Sequence, residues 1–284
     1  MKNPAMYLAR SARKLIRENF LQKRIDWTQA EGIAMDIVLP HSSIKNQGRT
    51  THCWAYSMCS MIESELLASD TVCHLNPLYF AAHKRYSNRR GGLAQTFLDT
   101  YKRITEENGI TEEWIRPLPA GKMPNAENYM VLTSFAHSPY YRNTVLNVPD
   151  NYERFPSYNI PLDKMTEAVK HSLRNGHTCV WEGDIHGAGY SHKRGVALTF
   201  MPSFRYNAFM RSLAYFFKFL KDDHMMHIVG MGHNAKGQCF FLIKNSIGET
   251  GLHKGYIYMS EDYFRTNTLS LTVRTDICRS LFRI

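Results

Sequence analysis

No stretch of the sequence approaches the ~20 consecutive apolar residues that a bilayer-spanning helix requires, so no membrane span is expected. The uncharged stretch after Lys2 ends at Arg10, too soon for the apolar region of a secretory signal, and no cleavable leader is expected. Cysteines are few and scattered. Cys53, Cys59, Cys73, Cys179, Cys239 and Cys278 include no C-x-x-C pair, which argues against a zinc ribbon and a disulfide scaffold and for free thiols in a reducing, cytoplasmic compartment. Acidic residues are in deficit, 25 Asp plus Glu against 35 Lys plus Arg, for a net charge of +10. That balance admits nucleic acid or an anionic surface as a partner, yet no nucleic-acid module accompanies it. Internal repeats and low-complexity tracts are absent too. What remains is ordinary: 284 residues, 44% hydrophobic and 21% charged, enough for a substantial core.

Local signals place the elements. Asn3-Pro4 is an N-cap followed by Pro at the first helical position, opening a basic amphipathic helix to about Leu21 that carries Arg10, Arg13, Lys14 and Arg17. Asn76-Pro77 repeats the device before a helix over 78–89. Helices over 93–108 and 162–175 stop at Gly109 and Gly176. β-branched and aromatic residues mark strands over 225–232, 238–245, 256–259 and 269–274, with turn chemistry at 234–237. Helices first and antiparallel strands last is the α+β order. The Pro- and Gly-containing stretch 116–128 is the plausible boundary or insertion site, and the run Phe216-Phe217-Lys218-Phe219-Leu220 reads as core or as a wall of a cleft.

Chemistry concentrates around Cys53. Gly48, Thr50 and Thr51 mark a loop before it, and Met58, Met61, Ile62 and Leu66 follow at helical spacing, so Cys53 is expected at the start of a buried helix. There the helix dipole and free N–H groups lower a thiol pKa. A nucleophilic Cys needs a base, an orienting group and oxyanion donors. Candidates lie in Asp223-His224 with Val229-Gly230 and in Lys244-Asn245-Ser246. A metal set of His224, His227, His233 and Cys239 is the competing reading, but positions 224 and 227 of a strand face opposite sides, so no metal and no cofactor is expected.

These segments, with Gln47 six residues before Cys53-Trp54 and in the order Cys, His, Asn, resemble the papain superfamily of cysteine peptidases. Residues 129–141, 145–152 and 158–165 narrow the resemblance to the bleomycin hydrolase and aminopeptidase C branch, over roughly 44–274. The resemblance implies a papain-like α+β fold in a single domain over 1–284. Its helical half covers about 44–115 and its β-rich half about 129–284, after an N-terminal helix and lead-in over 1–43. It implies Cys53 as nucleophile in a thiolate–imidazolium pair with His224, Asn245 as the group orienting His224, and Gln47 with the Cys53 N–H as oxyanion hole. Gly91 and Gly92, with Trp54, would line the substrate's path. A C-terminal arm ending at Ile284 would give aminopeptidase behaviour. Thr50 and Arg89 stand where secreted relatives carry half-cystines, in keeping with a reducing compartment, and Ile247 stands where the family has Trp. The helical insertion expected between Pro119 and Tyr129 is nearly absent. Peptides are the expected partners, a homo-oligomer is open, and nucleic acid is not expected. A non-catalytic peptide-binding relative and an anionic-surface or nucleic-acid binder are the competing classes.

Overall fold

The computed structural model describes residues 22–107, 123–200 and 207–282. The basic helix expected over 3–21, the Gly109 stop and Ile284 lie outside the described residues.

The architecture follows from strands whose successive side groups are apolar on both faces. In β2 (Tyr129–Thr133), β5 (Cys179–Gly183) and β8 (His224–His233), Val131, Val180 and Met225 join one core while their neighbours Leu132, Trp181 and Met226 join another. A strand whose residues alternate between two buried faces needs a cover on each side. On one face lie α1 (Cys53–Leu67), α2 (Pro77–His83) and α3 (Ala94–Glu107), which bring Trp54, Met58, Phe80, Phe97 and Tyr101. On the other lie α4 (Leu162–Arg174), α6 (Glu261–Asn267) and α7 (Thr275–Phe282), which bring Met165, Val169, Phe264 and Cys278. A shorter helix, α5 (Ala208–Phe216), sits between them in sequence.

The other strands are β1 (Ala34–Val38), β3 (Arg142–Val145), β4 (Pro156–Asn159), β6 (Tyr190–Ser191), β7 (Val196–Ala197), β9 (Cys239–Lys244), β10 (Tyr256–Ser260) and β11 (Thr268–Arg274). All form one sheet in the order β3-β4-β2-β11-β5-β8-β9-β10-β7-β6, with β1 also on β8. Pairing is antiparallel except for β2 with β4 and β7 with β10. The long β8 is shared along one edge. Its first half, from His224 to Ile228, pairs with β5, and its second half, from Gly230 to His233, pairs with β1. Gly230 and Gly232 permit that second pairing, because a Cβ there would lie 2.4 Å from the Ile37 carbonyl oxygen and 2.1 Å from that of Ala34.

The expected strands are present, each extended by one or two residues or trimmed at an end, and α4 ends at Arg174, capped by Asn175 with Gly176 at φ +80°, as its C-terminal signal implies. Two expectations are corrected. The helix that Asn76 caps through the Leu78 N–H ends at His83 instead of near residue 89. Lys84 is extended there, and its ammonium is drawn onto the Gly91 carbonyl, which turns the backbone around. The core alternative for the aromatic run before His224 fails: Phe216 at the end of α5, and Phe217 and Phe219 after it, are each about two-thirds exposed, and only Leu220 is buried.

Candidate active site

α1 is buried nearly all round, so it is central, and its first residue is Cys53. Ser57, one turn on, donates its hydroxyl to the Met225 carbonyl at 2.8 Å, which ties the start of the helix to the start of β8. His224, the first residue of β8, is thereby carried beside the helix terminus. Across the sheet, Asn245 follows the last residue of β9 and is held by its N–H to the Gly255 carbonyl at 3.1 Å.

His224 Nε2 and Asn245 Oδ1 are 2.8 Å apart, and both residues are buried. The same Oδ1 accepts the Ser246 N–H at 2.7 Å, while Asn245 Nδ2 donates to the Tyr190 hydroxyl at 3.0 Å. The amide is thus oriented from both ends. Its oxygen can only accept, so Nε2 carries the proton in the neutral ring and Nδ1 is left as the basic nitrogen. Tyr190, far from any catalytic motif in sequence, gave no signal of this role. Ile247 bridges to Asn46 across the start of the Gln47 loop. Gln47 is buried, with its N–H donated to the Ser246 carbonyl (2.7 Å), its Oε1 accepting the Ser246 hydroxyl (2.6 Å), its Nε2 donated to the Thr50 carbonyl (2.9 Å) and its own carbonyl accepting the Thr50 hydroxyl (2.8 Å). One of its two amide N–H bonds remains uncommitted among the described residues.

Burial pushes Cys53 up to about 12. The Met225 and Trp54 N–H groups pull it back only in part, and the Glu182 and Asp150 carboxylates push it further. Burial also lowers His224, against the raising effect of Asn245. Among the described residues no hydrogen bond joins Cys53 to His224. Both shifts run toward the neutral forms, because withdrawal from water disfavours a charge on either group.

Trp54 has no exposed surface. Its indole packs on Phe97 and beneath Gly92, where a Cβ would lie 2.8 Å from the ring, so it carries the glycine segment and does not itself line an open path. Gly91 and Gly92 are buried. His227 is buried with its Nδ1 2.8 Å from the Ser60 hydroxyl, and His233 faces Asp36 at 2.5 Å, so neither shares a site with His224.

Several carboxylates surround this centre, and of them the sequence singled out only Asp223. Glu182 is fully buried, accepts the Ser270 hydroxyl and is pushed by burial to about 8; Asp222 reaches about 6 for the same reason. Asp184, His186 and Asp223 bring donor atoms within 4.8 Å of one another, and they already bond internally through His186 Nδ1 to Asp223 at 2.7 Å and the His186 N–H to Asp184 at 2.7 Å. For Glu182 the consequence is a pH-dependent stability. Its folded pKa lies above the unfolded value of 4.5, so the folded protein keeps a proton that the unfolded state has released, and stability falls as pH rises from about 4.5 to about 8. Glu182→Gln is expected to flatten that fall in urea midpoints taken at pH 5 and pH 8. Equal slopes in the two proteins would contradict the assignment.

A model of the Peptidase C1-like family matches residues 99–280, which includes His224 and Asn245 and begins after Cys53. No curated protein matches by sequence. Among solved structures, PepW from Lactobacillus rhamnosis HN001 superposes with a TM-score of 0.67 at 12% identity, over 99% of this chain and 91% of that one. The Amb a 11 cysteine protease of ragweed pollen, in its proform, gives a TM-score of 0.51 at 18% identity, over 88% of this chain and 62% of that one. At such identities the likeness is one of fold.

Proposed function

Since the chain belongs to the Peptidase C1-like family and has a papain-like α+β fold, we propose that it hydrolyses peptide bonds with Cys53 as nucleophile, His224 as base and Asn245 as the group that holds the base. The observation that carries this reading is the 2.8 Å contact between His224 Nε2 and Asn245 Oδ1, in an amide whose orientation is set on both sides. It leaves Nδ1 free to take the thiol proton. The resulting thiolate attacks the substrate carbonyl, and the Cys53 N–H with the free Gln47 amide N–H stabilises the oxyanion. Protonated His224 then delivers its proton to the leaving amine, and as a neutral base it activates the water that hydrolyses the acyl-enzyme.

Within this reading the substrates are peptides and the mode is that of an aminopeptidase. This follows the resemblance of residues 129–165 to the bleomycin hydrolase and aminopeptidase C branch, with the tail to Ile284 as the arm that branch uses. Six free cysteines suit a cytoplasmic setting. A non-catalytic peptide-binding protein is the second reading, and the raised Cys53 pKa with no bond to His224 is the observation that favours it. Treatment with a peptide epoxide that alkylates activated thiols separates the two. The adduct is expected on Cys53 alone, since the other five thiols are buried. A protein left unlabelled at Cys53 favours the second reading.

A further inference from the structure

Between α1 and the strands β8 and β9 lies a small cavity of about 10 Å³, room for one monatomic guest. Lys45, Tyr56, Ser60, His227, Lys244 and Asn245 line it. The hydrogen bonds around it run in fixed directions. The Lys244 ammonium donates to the Ser42 hydroxyl at 2.9 Å and to the Ser60 hydroxyl at 2.7 Å. Ser42 passes its own proton to Glu63, whose carboxylate also takes the Lys45 ammonium and the Leu75 N–H. Ser60 likewise donates to His227 Nδ1 at 2.8 Å, so Nε2 carries the hydrogen of that ring. The relay stops there: His227 is 1% exposed, and its Nε2–H has no partner among the described residues. Lys244, also buried, keeps one N–H uncommitted among the described residues, and so does Lys45 after its bonds to Glu63 and the Leu75 carbonyl.

These three uncommitted groups are all donors, and the charges around them do not cancel. Two ammonium groups face one carboxylate, which is already shared among three donors. A buried donor without an acceptor and a buried surplus of positive charge are each costly, and one small anion relieves both. Water would satisfy the donors and leave the charge. We propose that this cavity binds a single halide ion, chloride by size and charge, held by Lys244, Lys45 and His227. Larger oxyanions do not fit the space. Lys45 and Tyr56 are half-buried, which gives the ion a way in. The site stands apart from the peptidase reading and goes beyond it: the ion pins α1 to β8 and β9 at the residue before Asn245, the group that holds His224.

A halide exchange tests the site without requiring turnover. Thermal melting is compared in sodium gluconate, sulfate, chloride and bromide at one ionic strength. Tm is expected to be roughly 3–6 °C higher in either halide than in gluconate. Crystals grown in sodium bromide are expected to show an anomalous peak in the cavity. Lys244→Met is expected to abolish both signals. His227→Phe, which keeps both ammonium groups, is expected to weaken halide binding about tenfold or more, and it decides the matter if Lys244→Met does not fold. Equal melting in gluconate and halide overturns the proposal, as does a halide gain that His227→Phe leaves unchanged. A cavity that holds water with no anomalous signal overturns it in favour of a hydration site. A gain in sulfate as large as that in chloride overturns it in favour of a general salt effect.

Discussion

Replacement of Cys53 by alanine is expected to lower kcat/KM for peptide hydrolysis by about four orders of magnitude or more, the scale on which loss of a covalent nucleophile is felt. Stability should hardly change, because α1 is anchored elsewhere, through Ser57 to Met225 and through its buried apolar face. His224→Ala is expected to lower activity comparably, and the double variant little further, because nucleophile and base act as one unit. The pH profile adds a second readout. With both groups shifted by burial toward their neutral forms, activity should rise as the lowered His224 loses its proton and should persist on the alkaline side, where the raised thiol stays protonated until the substrate step. A Cys53→Ala protein that retains more than about one-hundredth of the activity would remove Cys53 from the mechanism.

The second large effect concerns stability. Arg211→Met is expected to cost about 3–5 kcal/mol, the range for breaking a buried charged network. Arg211 has no exposed surface, and its guanidinium donates to the carbonyls of Ser134 at 3.1 Å, Arg265 at 2.6 Å and Thr268 at 2.5 Å. It also lies over the Phe135 ring, 5.2 Å from the centroid. One residue on α5 thus satisfies backbone groups from the loop after β2, from α6 and from the start of β11. Met fills much of the volume but leaves three buried acceptors without this donor, each a desolvation penalty. Lysine is expected to rescue little, since a single ammonium cannot span the three directions that the planar fork reaches. Thermal melting should show Tm lower by on the order of 10 °C for Arg211→Met. A drop of under about 2 °C would mean that water or local rearrangement satisfies those carbonyls.

Much of the site could be read from local sequence. Cys53 opens a helix because a Gly- and Thr-containing loop precedes it and apolar residues follow at helical spacing. The strands that carry His224 and Asn245 declare themselves by β-branched and aromatic content, and the end of α4 by Gly176. The contact of His224 with Asn245 was implied by motif order through resemblance, since residues 21 apart on neighbouring strands carry no local mark of meeting. Tyr190 and Glu182 were missed because their part depends on β6 and β5 lying next to the centre, which is a property of the sheet order.

By itself the sequence determined the α+β class, the starts of α1 to α4 and the end of α4, through capping, periodicity and composition, which act over a few residues at a time. It gave no sign of α5, α6 or α7, and the Cys, His, Asn order pointed to a cysteine peptidase through resemblance. Only the tertiary structure decided what long-range packing controls. It pairs β1 with the far half of β8, an element from the opposite end of the sequence. It also ends α2 early so that Lys84 reaches Gly91, and leaves the aromatic run before His224 in solvent. It leaves Cys53 half-buried, where desolvation and nearby carboxylates oppose the helix terminus, and lays Asp150 over the glycines expected to receive substrate. Burial is a sum over neighbours drawn from every part of the protein, so neither the charge state of a thiol nor the openness of a cleft is written at any one position.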